Sequence, residues 1–242
     1  MGEHEQLLDG PFVDGLSSII AAAHELKSPL SLIRQLSLML ENSDTSDDEK
    51  QRMLRQISLT SERGLRLTND LTRSVRLTDA LFELEPINPR QLCEDVIHEL
   101  TPLFKARNRS IKLISRKQPL LLVANRDLLR RIIINFSDNA LHYSDNKSIL
   151  KIQIKSLNFG KTIRLGVRDY GPIIPNGIMR SLKDKLTIAP MPIQARPQSS
   201  GLGLYIAGQF ANAMDGKIGV TRHRDGATFY VDLQASSQLS LL

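Results

Sequence analysis

Four groups of residues have types and spacings that could do chemistry. His24 and Glu25 are adjacent on an apolar-periodic helix, an imidazole beside a carboxylate, and Pro29 follows within two turns. Proline has no N–H to give to the carbonyl of Glu25, so the helix should bend just after His24. Read alone, this is as well a surface histidine on a bundle helix. Asn135, Asn139 and His142 recur at steps of four and three on one face of a second helix, away from the apolar stripe of Leu129, Ile132, Ile133, Phe136 and Ala140. Two stacked carboxamides can offer oxygens to a hydrated Mg²⁺ that phosphates also hold. Asn is a mediocre helix former, so two in mid-helix call for an explanation beyond exposed polar surface.

The third group is Asp169-Tyr170-Gly171 at the end of an alternating strand. An acid there can accept a hydrogen bond from an exocyclic amine, and glycine lets a ring approach the backbone, though Asp and Gly also end many strands as turn residues. The fourth is Ser199-Ser200-Gly201-Leu202-Gly203-Leu204, which opens an apolar helix. Free N–H groups at such a start can cradle phosphate, and flexible capping is the plainer alternative.

In chain order these groups resemble the boxes of sensor histidine kinases. His24 to Leu30, HELKSPL, is similar to the H box; Asn135 to Tyr143, NFSDNALHY, to the N box; Asp169 to Gly171 and Ser199 to Leu204 to the two glycine boxes. The resemblance runs from about Leu16 to Leu233 and includes GATF, Gly226 to Phe229, as the closing strand. It implies an ATP-dependent protein-histidine kinase. His24 would accept the γ-phosphoryl group and Glu25 would orient or take the proton of the other ring nitrogen. Ser28 stands where such families place a Thr or Asn used in dephosphorylating the regulator.

For ATP and Mg²⁺ the resemblance implies Asn135 and Asn139 at metal and phosphates, and His142 in place of a usual Lys or Arg. Tyr143 would lie against adenine, and Asp169 and Gly171 would read it. Ser200, Gly201, Leu202 and Gly203 would hold phosphate. The stretch from Tyr170 to Ser200, without sustained period, corresponds to the family's lid, with Arg180, Lys183, Lys185 and Arg196 as candidate phosphate contacts. Two positions depart from the pattern: Ile173 replaces the second glycine of the first box, and Ser199 replaces the initial glycine of the second. They motivate the alternative of a weakened pseudokinase acting as a dimeric scaffold.

The elements that must position these residues follow from periodicity. Ile19, Ala23, Leu26, Leu30, Ile33 and Leu40 recur at helical spacing, and after the polar run Asn42 to Glu49 a second seam follows through Leu54, Ile57, Leu65, Leu71 and Val75. This predicts a helical hairpin that needs a second copy to form a four-helix bundle. Glu85 to Pro89, EPINP, marks the expected boundary between a dimerisation and phosphotransfer domain, 1–85, and an ATP-binding domain, 86–242. Beyond it helices at Arg90–Lys105 and Arg126–Tyr143 and alternating strands around Leu150 and Ile163 predict a two-layer α/β sandwich, so the chain as a whole is of α+β class.

Composition bounds the partners. The chain's 242 residues are 41% hydrophobic, enough for real cores, and Lys plus Arg at 32 against Asp plus Glu at 26 gives +6. That charge suits a polyanionic ligand or an acidic partner. Nucleic acid is disfavoured because aromatics are 5% and the basic residues are scattered. Cys93 is the only cysteine, which excludes a disulfide framework and fits a reducing cytoplasm. No apolar run approaches a membrane span, and neither a leader nor a sensor domain is expected before the first helix. The expected partners are a second copy, a response-regulator receiver domain and a separate sensor protein.

Overall fold

The computed structural model describes residues 11–41, 46–75, 83–115, 120–144, 149–185 and 202–237. Contacts divide the chain into two compact units, Met1–Val75 and Arg76–Leu242. In the first, helix α1 (Pro11–Leu40) runs as one helix through Pro29 and packs against α2 (Asp47–Val75). The start of α2 is a capping box: Ser46 and Glu49 satisfy one another's backbone N–H groups with their side chains. These contacts hold the Glu49 carboxyl below its ordinary range, the Ser46 hydroxyl contributing most. The helices come close where α2 carries no side chain, a Cβ at Gly64 lying 4.0 Å from Pro29 Cγ.

The residues this hairpin buries are not those of the expected seam, of which Ala23 is exposed. Ala21, Leu36 and Asp70 are buried, whereas Leu30, Leu54 and Leu65 stay 63%, 55% and 65% exposed. A two-helix hairpin has one internal face, so among the described residues of this unit nothing covers the second apolar stripe.

The second unit is a sheet with helices on one face. Strands β2 (Ser110–Ile114), β4 (Ile149–Leu157), β5 (Thr162–Arg168), β6 (Lys217–His223) and β7 (Gly226–Gln234) lie in the order β2-β4-β5-β7-β6, with β2 parallel to β4 and the other pairs antiparallel. Alternation sorts the faces. Ile152, Ile163, Leu165, Val167, Phe229, Val231 and Leu233 are buried with Leu129, Ile132, Ile133 and Phe136 of α4 (Arg126–Tyr143). Helices α3 (Pro89–Ala106) and α6 (Leu202–Asn212) flank α4 in the same layer. The Asn88 side chain caps α3, accepting from the N–H groups of Arg90 and Gln91 with Pro89 as first helical residue.

Two expectations are corrected. The EPINP stretch, expected only to mark a boundary, holds regular structure: Glu85–Ile87 forms β1, paired antiparallel with β3 (Leu122–Ala124), within the second unit. Pro86 is tolerated because β1 is an edge strand of this two-stranded sheet, and its outer side needs no N–H. The stretch after Tyr170 is not wholly irregular either, since Asn176–Lys185 forms helix α5.

Candidate functional site

The site is built from the α4–α6 junction and the end of β5. Asn125 starts α4, its side chain accepting the Leu128 N–H at 3.1 Å, so the apolar stripe goes down on the sheet and the Asn135 and Asn139 positions keep to another side. Both asparagines are half-buried. The Asn135 Nδ2 atom is buried and has no hydrogen-bond partner among the described residues. Such an unmet amide is costly, and a phosphate oxygen would satisfy it. The first turn of α6 faces Asn139: a Cβ at Gly203 would sit 3.8 Å from Asn139 Nδ2. The structure thus brings the expected metal and phosphate residues Asn139 and Gly203 together, and the unmet amide with this side-chain-free approach fits a hydrated cation and the phosphates it accompanies.

At the other side, Asp169 is fully buried just past β5. Its Oδ1 accepts the Ala227 N–H at 2.9 Å while its own N–H donates to the Ala227 carbonyl at 2.8 Å, which fixes the carboxylate on the first residues of β7. Gly226 makes this possible. Its φ is +127°, and a Cβ there would lie 2.4 Å from the Asp169 carbonyl oxygen and 2.6 Å from Oδ1. Gly171 is buried, and Ile173, in the place of the family's second glycine, is 47% exposed.

Three positioning residues were not singled out from the sequence. Arg109 donates from Nη2 to the Ser144 carbonyl at 2.6 Å and from Nη1 to the Leu141 carbonyl, closing the carbonyl end of α4. Ser144 Oγ then accepts the Tyr170 N–H at 3.0 Å, tying α4 to the strand end that carries Asp169. Arg168, 7% exposed, donates to the Asp169 carbonyl and to Asp225, and stacks 4.5 Å above the Tyr170 ring. Only the glycine of GATF carried a sequence signal.

The remaining expected site residues divide by location. His24 and Ser28 are exposed on α1 and Glu25 is half-buried, all in the first unit. Leu202 is fully buried as the first core residue of α6. Arg180 is exposed on α5. Ser199, Ser200, Gly201 and Arg196 lie outside the described residues, as do the side chains of His142, Tyr143, Lys183 and Lys185.

The family model for histidine kinase-, DNA gyrase B-, and HSP90-like ATPases matches residues 124–237, which contain α4, Asp169, Gly203 and Gly226. Sensor histidine kinase AruS of Pseudomonas aeruginosa is 26% identical over 220 residues, covering 88% of this chain and 22% of AruS. The chain is similar in sequence to sensor histidine kinases. It spans 22%, 18% and 61% of the lengths of the first three curated relatives it matches. The fold is shared with solved sensor histidine kinases. Histidine kinase ThkA in complex with response regulator protein TrrA aligns with a TM-score of 0.63 at 18% identity, over 93% of this chain and 62% of that one. Full-length ShkA in complex with AMPPNP gives 0.60 at 19%, over 93% of this chain and 46% of that one. No helix among the described residues is long and apolar enough to cross a membrane.

Proposed function

We propose that the chain is an ATP-dependent protein-histidine kinase that phosphorylates its own His24 and passes the group to an aspartate of a response regulator. The observation that carries the reading is the approach of Gly203 to Asn139, which sets a side-chain-free helix start against the amide face of α4. Asp169, held by Ala227, would accept from the adenine amine, and Gly171 would let the ring approach the backbone. Asn135 and Asn139 would hold Mg²⁺ and the phosphates, with Ser200, Gly201 and Gly203 presenting N–H groups. His142 and Tyr143 would flank the phosphates and the base. Mg²⁺ supplies charge neutralisation at the phosphates.

The unprotonated ring nitrogen of His24 donates its electron pair to the γ-phosphorus, the bond to the bridging oxygen breaks, and ADP leaves. Glu25 takes or orients the proton on the other nitrogen. The phosphoryl group then moves from the ring nitrogen to a receiver aspartate. Ser28, one helical turn beyond His24, would orient water in the reverse hydrolysis of the regulator. The exposed Leu30, Leu54 and Leu65 stripe would be covered by a second copy in a four-helix bundle, and the site of action would be the cytoplasm.

The test is incubation of the full chain with radiolabelled ATP and Mg²⁺. Acid-labile, base-stable label that disappears in His24→Ala is expected. Label of the same lability in His24→Ala would refute the assignment.

A further inference from the structure

The sheet's other face, away from the helices, carries a cleft that the kinase reading does not use. Side chains of alternate residues come together in cross-strand rows: Lys151, Arg168, Thr228 and Thr221; then Gln153, Gly166, Tyr230 and Gly219; then Lys155, Arg164, Asp232 and Lys217. Two of the four positions in the middle row are glycine. Tyr230 leans over β6, where a Cβ at Gly219 would meet its ring at 2.5 Å, while on β5 Gly166 contributes no side chain and a Cβ there would meet Thr228 Cγ2 at 3.0 Å. Arg164, stacked 3.5 Å from the Tyr230 ring and paired with Asp232, holds the ring in that pose. The result is a cavity of about 170 Å³ lined by Gln153, Lys155, Arg164, Arg168, His223 and Thr228 with Gly166 as floor.

Its chemistry is one-sided. Lys155, Arg164, Arg168, Gln153, Thr228 and His223 are donors or can become donors, and no carboxylate stands among the lining residues. The volume corresponds to roughly five or six waters at about 30 Å³ each, room for one oxyanion group with its shell. Among the described residues Arg164 is paired with Asp232 and Arg168 with Asp225, and Lys155, exposed on β4, supplies the charge that has no carboxylate partner there. We infer that this outer-face cleft, floored by Gly166 and bordered by Lys155, Arg168 and His223, binds a compact oxyanion, a phosphate or carboxylate group.

His223 reports on the occupant. Its Nε2 lies 2.8 Å from Thr228 Oγ1. Burial first, then the positive charge of Arg168 on β5 and Lys155 on β4, holds its pKa below the ordinary value against the opposing pull of Asp225 in the turn and Asp169 beyond β5. An anion in the cleft offsets those cations, so binding raises the His223 midpoint and is itself tighter at lower pH. Arg168 also donates to the Asp169 carbonyl, so the occupant sits one residue from the proposed adenine acceptor.

The test follows the His223 ring by NMR in the full chain, with the resonance identified by its loss in His223→Gln. Inorganic phosphate and succinate are titrated separately at constant ionic strength against chloride. A saturable upward move of the His223 midpoint, on the order of half a pH unit, is expected with at least one of them. A response to phosphate alone assigns a phosphoryl ligand, and a response to both assigns an oxyanion in general. Lys155→Glu should lose the response, Lys155→Gln should weaken it, and Asn139→Ala, disabled only at the nucleotide site, should keep it. No saturable move, persistence in Lys155→Glu, or loss in Asn139→Ala would each overturn the inference, and none of these results bears on His24 labelling.

Discussion

Gly226→Ala tests how the adenine side of the site is held. The native φ of +127° is a conformation that L side chains rarely adopt, which costs about 1–3 kcal/mol for alanine. The added Cβ would also stand 2.4 Å from the Asp169 carbonyl oxygen, about 1 Å inside an ordinary contact. Both atoms are backbone or backbone-tethered, so Asp169 must move. That would break the 2.9 Å bond from the Ala227 N–H to the carboxylate, worth about 1.5–3 kcal/mol for a charged acceptor. The expected loss is about 3–5 kcal/mol, divided between folding and nucleotide affinity. Urea unfolding should give a lower midpoint with an unchanged slope, and calorimetric titration with ADP and Mg²⁺ should show affinity down by at least about tenfold. Gly216→Ala separates the two effects. There a Cβ would meet Leu233 Cδ2 at 2.6 Å, so it should destabilise the fold and leave nucleotide affinity nearly unchanged. Wild-type stability and affinity in Gly226→Ala would refute the view that this contact fixes Asp169.

Asn139→Ala should cripple phosphorylation but retain adenosine affinity, whereas Asp169→Ala should lose adenosine as well; equal adenosine binding by wild type and Asp169→Ala would remove the adenine assignment. Arg109→Met leaves the Leu141 and Ser144 carbonyls uncapped and should cost about 1.5–3 kcal/mol in denaturant unfolding. Leu30→Asp, at a position 63% exposed, should leave the hairpin helical by circular dichroism and give a monomer by sedimentation if a second copy covers this stripe. Burial pushes the Cys93 thiol up to about 12, so the folded chain keeps its proton where an unfolded thiol, near 9, would lose it. Stability should therefore fall as pH rises above about 9, by about 1.4 kcal/mol per unit, and Cys93→Ala should flatten that slope.

What the sequence made legible was whatever a single element decides. The α4 stripe of Leu129, Ile132, Ile133, Phe136 and Ala140 recurs at 3.6, and helix Arg126–Tyr143 has the bounds this pattern predicts. The alternation of Ile163, Leu165 and Val167 with Arg164, Gly166 and Arg168 likewise announced β5. Strand β1 was missed because three residues centred on Pro86 give no period, and its existence depends on Leu122–Ala124. Helix α5 was missed because it is 10 residues long within a proline-rich stretch, too short to show a sustained period; among its described side chains Leu182 is buried.

The harder part of the site is long-range by nature. Asp169 looks in sequence like any acid ending a strand, and what makes it a fixed acceptor is the antiparallel pairing of β5 with β7, which sets Arg168 opposite Thr228. That register puts the Ala227 amide within 2.9 Å of the carboxylate and leaves no room for a side chain at Gly226. The turn Arg224–Asp225 between β6 and β7 completes the arrangement, since it places Asp225 on Arg168. Arg168 thereby holds the carbonyl of Asp169 on one side and borders the outer cleft on the other. An event at either side of the sheet has a physical route to the other through one buried guanidinium. Arg168→Lys retains the charge but cannot reproduce a planar fork reaching the Asp169 and Ala227 carbonyls and Asp225 at once. In that variant the phosphate response of His223 and the affinity for adenosine should fall together, and independent behaviour of the two would show that no such route runs through Arg168.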